Sequence, residues 1–517
     1  MTGADSVGLA NAPRGLASSG PAAYKWTERA LVVISFVPVL AFVAVALRRI
    51  TYPYELSYVE GSVAEVVARV SDGAAIYGPP SAAFTPWPYP PGFFWLASGV
   101  ARVTGTDLFA ARVVSFAASI VILVVLALIV RSVTGSVVGG VVASGTYAAT
   151  YWLTDTWADT ARVDSLFLAF LLLAVLVAVR ARTALAGLLV GLLLLAAFLT
   201  KQTALIAAAP MLVVLLVGRR RTGVAALSVL LAGVAVTTVI GNATTDGWYS
   251  VYVFEQLSGQ GWSPKDLYQF WFIDLLVPFA VTAIATLTLL VRGRSIGWRR
   301  VSADSPTAVV AAATVGFVLA AWVGRLHDGG TVNVVLPAYA ALALLIGCAT
   351  AAQLARPRLS VPLTPPLVAA LVLAQVLLLL AWWRPGAIPT SSDRRAGDRL
   401  IALLASAPAG VAVPSHPYYA RLAGKSPGPA LFAVEDVLRG GPTRARSSLV
   451  AQLPWSLAGI DIVVLDDASH TRYFGPELTR DFQLQAGPLF EGDDFYPVTD
   501  YPSRPELVFV RKGVVLR

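Results

Sequence analysis

Apolar runs recur from residue 30 to residue 383, each close to the length a helix needs to cross a bilayer, about 17–25 predominantly apolar residues. That repetition restricts the fold more than any other feature. Composition agrees with it. Of 517 residues, 56% are hydrophobic and 13% charged, where soluble domains carry about 25% charged residues. A soluble enzyme is excluded, and the chain reads as a polytopic α-helical membrane protein. Its one cysteine, Cys348, sits inside an apolar run, which excludes disulfides, zinc clusters and a Cys nucleophile. His327, His416 and His470 are too scattered for a His-based metal site. The net charge is +9, yet no basic stripe is interleaved with aromatics, so no nucleic-acid partner is expected.

The pattern predicts about eleven transmembrane helices, at roughly 30–47, 113–130, 136–153, 165–179, 184–199, 203–217, 223–240, 272–291, 307–323, 334–353 and 366–383. The short stretch 92–104 follows Pro90-Pro91 and carries Arg102, and reads as a helix lying at the interface. Inner loops enriched in Lys and Arg set orientation. With the N-terminus cytoplasmic, Arg131, Arg180, Arg182, Arg219, Arg220, Arg221, Arg292, Arg294, Arg299, Arg300, Arg356 and Arg358 fall inside. The acids from Glu55 to Asp159, with Asp164, Asp246, Glu255, Asp266 and Asp328, fall outside. A crossing at 92–104 would invert every later loop. An odd number of spans sends residues 385–517 to the extracytoplasmic side, where strand-like runs at 409–413, 460–465 and 506–511 alternate with helical stretches near 394–406 and 444–453. This predicts a small extracytoplasmic C-terminal α/β domain, after a disordered cytoplasmic tail over 1–24 and a membrane domain over 25–384. The run after Lys25 and Arg29 is long enough to stay as an anchor. No internal repeat of the kind common in transporters is visible.

On this topology the ionisable residues gather on one side. The first outer loop, 48–112, holds Glu55, Glu60 and Glu65, with Glu60 opening an amphipathic helix. The helix dipole favours a carboxylate there, and a general base held at the membrane edge is the other reading. Glu65 reads as a solvated helix residue. Thr85-Pro-Trp-Pro-Tyr-Pro-Pro-Gly makes a proline-stiffened lip, whose Trp87 and Tyr89 either stack on a sugar or, the safer reading, anchor at headgroup level. The second outer loop packs Asp155, Asp159, Arg162 and Asp164 between two spans; an acid at that depth needs a partner, and Arg162 is at hand. Lys201-Gln202 stands in a turn with no loop to spare, a snorkelling anchor or a phosphate clamp. Arg325, His327, Asp328 and Asn333 surround Gly329-Gly330. Arg48 and Arg49 stand against the charge trend and either snorkel to headgroups or hold an anionic lipid. Ser415-His416-Pro-Tyr418-Tyr419 reads as a packed surface turn.

Together these residues resemble the GT-C membrane glycosyltransferases, specifically glycosyltransferase family 39 and the RgtA/B/C/D-like group, which includes protein O-mannosyltransferases and lipid A aminoarabinose transferases. The resemblance covers about 30–350. It is carried by Glu60-Gly61, Gly73-x-x-Ile76-Tyr77, Tyr89-Pro90-Pro91, Ala161-Arg162-Val163-Asp164-Ser165 and Thr200-Lys201-Gln202-Thr203, in that order. It implies transfer of a sugar from a polyprenyl-phosphate donor to a hydroxyl of a glycan, lipid or protein acceptor at the outer face. It also implies Glu60 as base, Asp164 as a site carboxylate that orients substrate or, in some members, a divalent metal, and Lys201 as a contact to the donor phosphate. Many relatives carry Asp-Glu where this chain has Val59-Glu60, which leaves open whether Glu55 shares the base's role. Glu55, Tyr89, Arg162, Lys201, Gln202, Arg325, His327 and Asn333 are the expected substrate contacts, and no cofactor is certain. The rival reading is a transporter or flippase of a lipid-linked or sugar substrate.

Overall fold

A computed structural model describes residues 21–292, 302–355, 363–487 and 489–516. The expected tail over 1–24 falls largely outside these residues, as do Arg294, Arg299, Arg300, Arg356 and Arg358. The chain is a mostly helical, multi-pass membrane protein. Helices Tyr24–Arg49, Asp107–Thr134, Arg220–Thr244, Pro306–Leu326 and Val332–Ala355 are long and apolar enough to cross a bilayer. Val137–Ala149, Ala184–Thr200, Ala204–Gly218 and Pro365–Leu380 are shorter apolar helices, and Asp164–Arg180 has 17 residues. Helix therefore stands at every predicted position, though not as eleven full-length spans. The span expected at 272–291 is bent by 84° between Leu276 and Ala280. Pro278 stands in that break, where it lacks an N–H and cannot continue the ladder. Tyr339 Oη donates to Asp274 O, the carbonyl one turn before the proline, at 3.0 Å, and Gln375 bridges the next opened turn, donating to Pro278 O at 2.7 Å and accepting from Thr282 N and Oγ1. Backbone polar groups need such partners when no water is near.

Caps and small residues set where the helices begin and how closely they pack. Ser136, Thr183 and Ser305 each accept a backbone N–H from the first turn of the helix that follows, the usual role of a hydroxyl at that position. Gly139 and Gly347 bring two helices so near that a Cβ on Gly139 would lie 2.7 Å from Gly347 O; small residues permit this van der Waals packing. A helix spans Gly92–Thr104, where the sequence reading expects one.

Residues 391–511 form a four-stranded sheet with flanking helices. The order is β1 (Gly410–Ala412), β2 (Ile460–Leu465), β4 (Leu507–Arg511), β3 (Phe482–Leu484), with β1–β2 parallel and the other pairs antiparallel. Three of these strands are the predicted runs; β3 is too short and polar to show in the sequence. Side chains alternate along β2 as a pleated strand requires. Ile462 and Val464 pack with Leu400, Leu404 and Val508, whereas Val463 and Leu465 join the larger core that continues into the membrane helices. Tyr54 of the first long loop belongs to the same small core and donates to Asp398 at 2.6 Å. Thr499 N donates to Leu56 O at 3.1 Å. The sheet is thus built onto the loop, and its position beside the helix ends is specific.

Candidate active site

Three chain breaks between membrane helices converge on one carboxylate. Asp164 opens the helix Asp164–Arg180. Lys201, in the turn between Ala184–Thr200 and Ala204–Gly218, places Nζ 2.6 Å from Asp164 Oδ1. Asn333, in the short 3-10 turn before Leu336–Ala355, donates to both Asp164 oxygens at 3.0 Å. Arg162 adds a looser contact, Nε to Oδ2 at 3.8 Å. All four side chains are buried, so the carboxylate fixes the ammonium and the guanidinium next to each other.

Arg162 stacks on Trp157, with its guanidinium carbon 3.6 Å from the ring centre. Its Nη1 lies 3.6 Å from Asp500 Oδ2 and makes no hydrogen bond. Arg162 and Lys201 line a cavity of about 180 Å³. Tyr58, Trp87, Tyr89 and Phe432 provide aromatic wall, and His327, Asn333, Asp436 and Arg439 complete the polar part. Asp164 lines a recess that shares Lys201, Thr203 and Asn333 with this cavity. Outside the membrane helices, burial pushes the Asp436 carboxyl up to about 6, with Arg439 pulling it down and Glu435 adding to the rise. Asp500 is likewise raised by burial to about 6, against Arg162 and Ser57.

Of the expected site residues, Asp164, Tyr89, Arg162, Lys201, His327 and Asn333 meet at this cavity, and four lie elsewhere. Gln202 turns away and donates to Pro88 O at 2.8 Å and Val253 O at 3.0 Å, which staples the proline lip. Arg325 pairs with Asp274 at 2.9 Å and Asp266 at 3.5 Å and donates to Gly330 O, fixing the glycine turn from behind. Glu60 is wholly buried against Arg112, at 2.9 and 2.6 Å, and accepts N–H bonds from Leu56 and Ala161, each at 2.7 Å. Burial works to raise this carboxyl, but Arg112 and the two amides outweigh it and hold it below the usual carboxylate range. Glu55 lies 2.5 Å from His416 Nδ1, and His416 Nε2 lies 3.1 Å from Asp466. Burial pushes Glu55 up to about 7 against that attraction. Burial also disfavours the imidazolium, yet Asp466 and Glu55 hold His416 charged to about 10.

Four sequence expectations are corrected by burial. Arg49 is not at the headgroups; it is fully buried and bridges to Asp159 at 2.5 and 2.7 Å. Glu65 is not solvated but holds Arg421 at 2.8 Å through both oxygens. Trp87 does not anchor in lipid; it is buried, donates to Ser62 Oγ at 3.0 Å and lines the cavity. His416 is no surface turn but the middle of a buried charged triad. Each reversal has one cause: a second charge or hydroxyl, distant in sequence, satisfies a group that would otherwise need water.

Sequence reasoning misses Arg112, Asp436, Asp500 and the aromatic pair Tyr58–Phe432. Arg112 is visible as a cation at the mouth of a predicted span. Phe432, Asp436 and Arg439 follow the spacing of one helix face, a signal available in the sequence. Among the described residues no three His, Cys, Asp or Glu side chains are grouped to hold an ion, and the Asp164 oxygens face Lys201, Arg162 and Asn333.

Helix ends and long loops surround this cavity with a sheet built onto them, and the fold as a whole is GT-C-like. Residues 88–243 match the dolichyl-phosphate-mannose-protein mannosyltransferase family. The structure is similar to that of ArnT from Cupriavidus metallidurans bound to undecaprenyl phosphate, with TM-score 0.53 and 13% identity over 92% of this chain and 98% of that one. The apo form of the same ArnT matches with TM-score 0.53 and 15% identity, covering 91% and 97% of the two chains. No curated protein matches this chain.

Proposed function

We propose that this protein transfers a sugar from a polyprenyl-phosphate donor to an acceptor hydroxyl, at the extracytoplasmic face of the membrane, in the assembly of a cell-envelope glycan or glycoconjugate. One observation carries the reading: a buried guanidinium with an unbonded Nη1 and a buried ammonium face the same cavity at the ends of membrane helices. Such a pair suits a lipid-borne phosphate. A phosphate leaving group needs its developing charge met by preorganised cations, and Asp164 holds Lys201 in place before substrate arrives. The walls formed by Tyr58, Trp87, Tyr89 and Phe432 offer flat apolar faces to a sugar ring, while Asn333 and His327 offer hydrogen bonds. The similar ArnT is bound to undecaprenyl phosphate, which supports a donor of this type. The distribution of Arg on the opposite loops supports an outward-facing cavity.

In this reading Glu60 and Glu55 are structural groups rather than reactants. Glu60 already accepts four hydrogen bonds from Arg112, Leu56 and Ala161, so it has no capacity left for a substrate proton. The test is release of polyprenyl phosphate from radiolabelled polyprenyl-phosphate hexose and pentose donors, by purified protein in sealed proteoliposomes with a cell-envelope glycan fraction as acceptor. Label should move to the acceptor, and Arg162→Ala should abolish the transfer. Movement of intact donor across the bilayer with no cleavage of the sugar–phosphate bond would instead establish a flippase and overturn the proposal.

A further inference from the structure

We propose that Asp436, brought to the cavity by a helix of the C-terminal segment, is the general base that takes the proton from the acceptor hydroxyl. The assignment rests on the sugar-transfer reading above. A base at this site must be a carboxylate that reaches the cavity and is not already committed to other donors. Asp164 is held by Lys201 and Asn333. Glu60 and Glu55 lie outside the lining, to which the first loop contributes Tyr58, Val59, Trp87, Pro88 and Tyr89 but no acid. Asp500 accepts from Ser57 Oγ at 3.0 Å and faces Arg162 from outside the lining. Asp328 is exposed at the rim.

Asp436 differs from all of these. Its Oδ1 lies 3.4 Å from Arg439 Nη2, one turn further along the helix. Among the described residues no group donates a hydrogen bond to its carboxylate. Phe432, Asp436 and Arg439 line the cavity from one face of Leu431–Arg439, while Ala433, Val434 and Val437 are buried on the other. The helix is held in place on three sides. Gln256 Nε2 donates to Asp436 O at 2.7 Å, Gly441 N to Gly259 O at 2.7 Å and Leu431 N to Pro414 O at 2.7 Å. The Phe432 ring lies 4.3 Å from that of Tyr58. The carboxylate therefore stands at a fixed place in the lining that it shares with Arg162 and Lys201.

The step balances without a further reactant. The acceptor oxygen bonds to the anomeric carbon as its proton passes to the free oxygen of Asp436. The carbon–oxygen bond to the phosphate breaks, and its electron pair leaves with the polyprenyl phosphate, next to Lys201 and Arg162. Burial raises the Asp436 carboxyl to about 6, so it is ionised at neutral pH yet basic enough to accept a proton. The charged and titratable groups around it are Arg439 and Glu435 on its own helix, and Arg162, Lys201, Tyr58, Tyr89, His327 and Asp328 from the other walls.

The experiment compares full-length wild type, Asp436→Asn and Asp436→Glu in nanodiscs for sugar transfer, its pH profile and equilibrium binding of undecaprenyl phosphate. Asp436→Asn should lower kcat by about 100- to 10,000-fold, abolish the fall in rate below about pH 6 and leave the affinity for undecaprenyl phosphate unchanged. Retained lipid binding shows that the variant is folded, and Asp436→Glu should recover part of the rate. Asp436→Asn that transfers sugar at the wild-type rate, with the acid limb still present, overturns the assignment. A wild-type chain that transfers no sugar counts against the function itself, so the two failures are separable.

Discussion

Replacing Glu60 by Gln tests whether this acid holds the fold or performs chemistry. The carboxylate receives four donors: Arg112 Nε at 2.9 Å, Arg112 Nη2 at 2.6 Å, and the Leu56 and Ala161 amides at 2.7 Å. Both Glu60 and Arg112 are fully buried. A glutamine keeps one oxygen and turns an NH₂ toward two of those donors, while Arg112 loses its counter-charge. Each buried donor left unsatisfied costs about 1–3 kcal/mol, and two of them give a sum near the roughly 3–5 kcal/mol known for breaking a buried ion pair from one side. Arg112 also holds the Tyr52 and Tyr54 carbonyls at 2.5 and 2.6 Å, so the first loop should loosen with the pair. The assay is a denaturant titration of purified Glu60→Gln in detergent, with sugar transfer measured per folded molecule. The expected result is a large loss of stability with transfer largely retained in the folded fraction. A variant as stable as wild type but slower by about 100- to 10,000-fold would make Glu60 the base and refute this reasoning.

Two further outcomes follow from the same geometry. Lys201→Ala removes the ammonium that Asp164 aligns and should weaken binding of polyprenyl phosphate by about 10- to 100-fold, as expected for a charge-assisted hydrogen bond; an unchanged dissociation constant by equilibrium binding would count against the phosphate role. The Glu55–His416–Asp466 triad joins the first loop to the C-terminal segment, and the His416 imidazolium is raised from 6.5 to about 10 in the folded state. Its stabilising contribution is therefore fully present below about pH 6.5 and is lost as pH rises through about 10. Proteolysis of the C-terminal segment should accelerate across that window in wild type and show no such dependence in His416→Gln.

The membrane helices were legible because lipid imposes a simple rule on sequence. The Pro278 break was less so, since a proline in a long apolar run signals a kink without saying how its freed carbonyl is satisfied. Asp164 and Lys201 could be selected as site residues because each occupies a turn with no room for a solvated loop. Their partner Asn333 is legible in another way, as one of the polar residues around the Gly329-Gly330 turn. Glu60 and Gln202 stand in equally suggestive places, yet their side chains point into protein, and no local pattern records that direction. Asp436 was overlooked because an acid on an amphipathic helix resembles an ordinary solvated one until another part of the chain covers it.

From sequence alone came the polytopic helical class, the positions of the helices and the clustering of polar residues at one end. These depend on short-range periodicity and on the cost of placing charge in hydrocarbon. The tertiary structure decided which charges remain free. Arg112 reaches Glu60 across 52 residues and His416 reaches Glu55 across 361. Whether a buried carboxylate is an anchor or a reactant depends on those distant partners, because inside a protein an acid already saturated with donors has nothing left to offer a substrate.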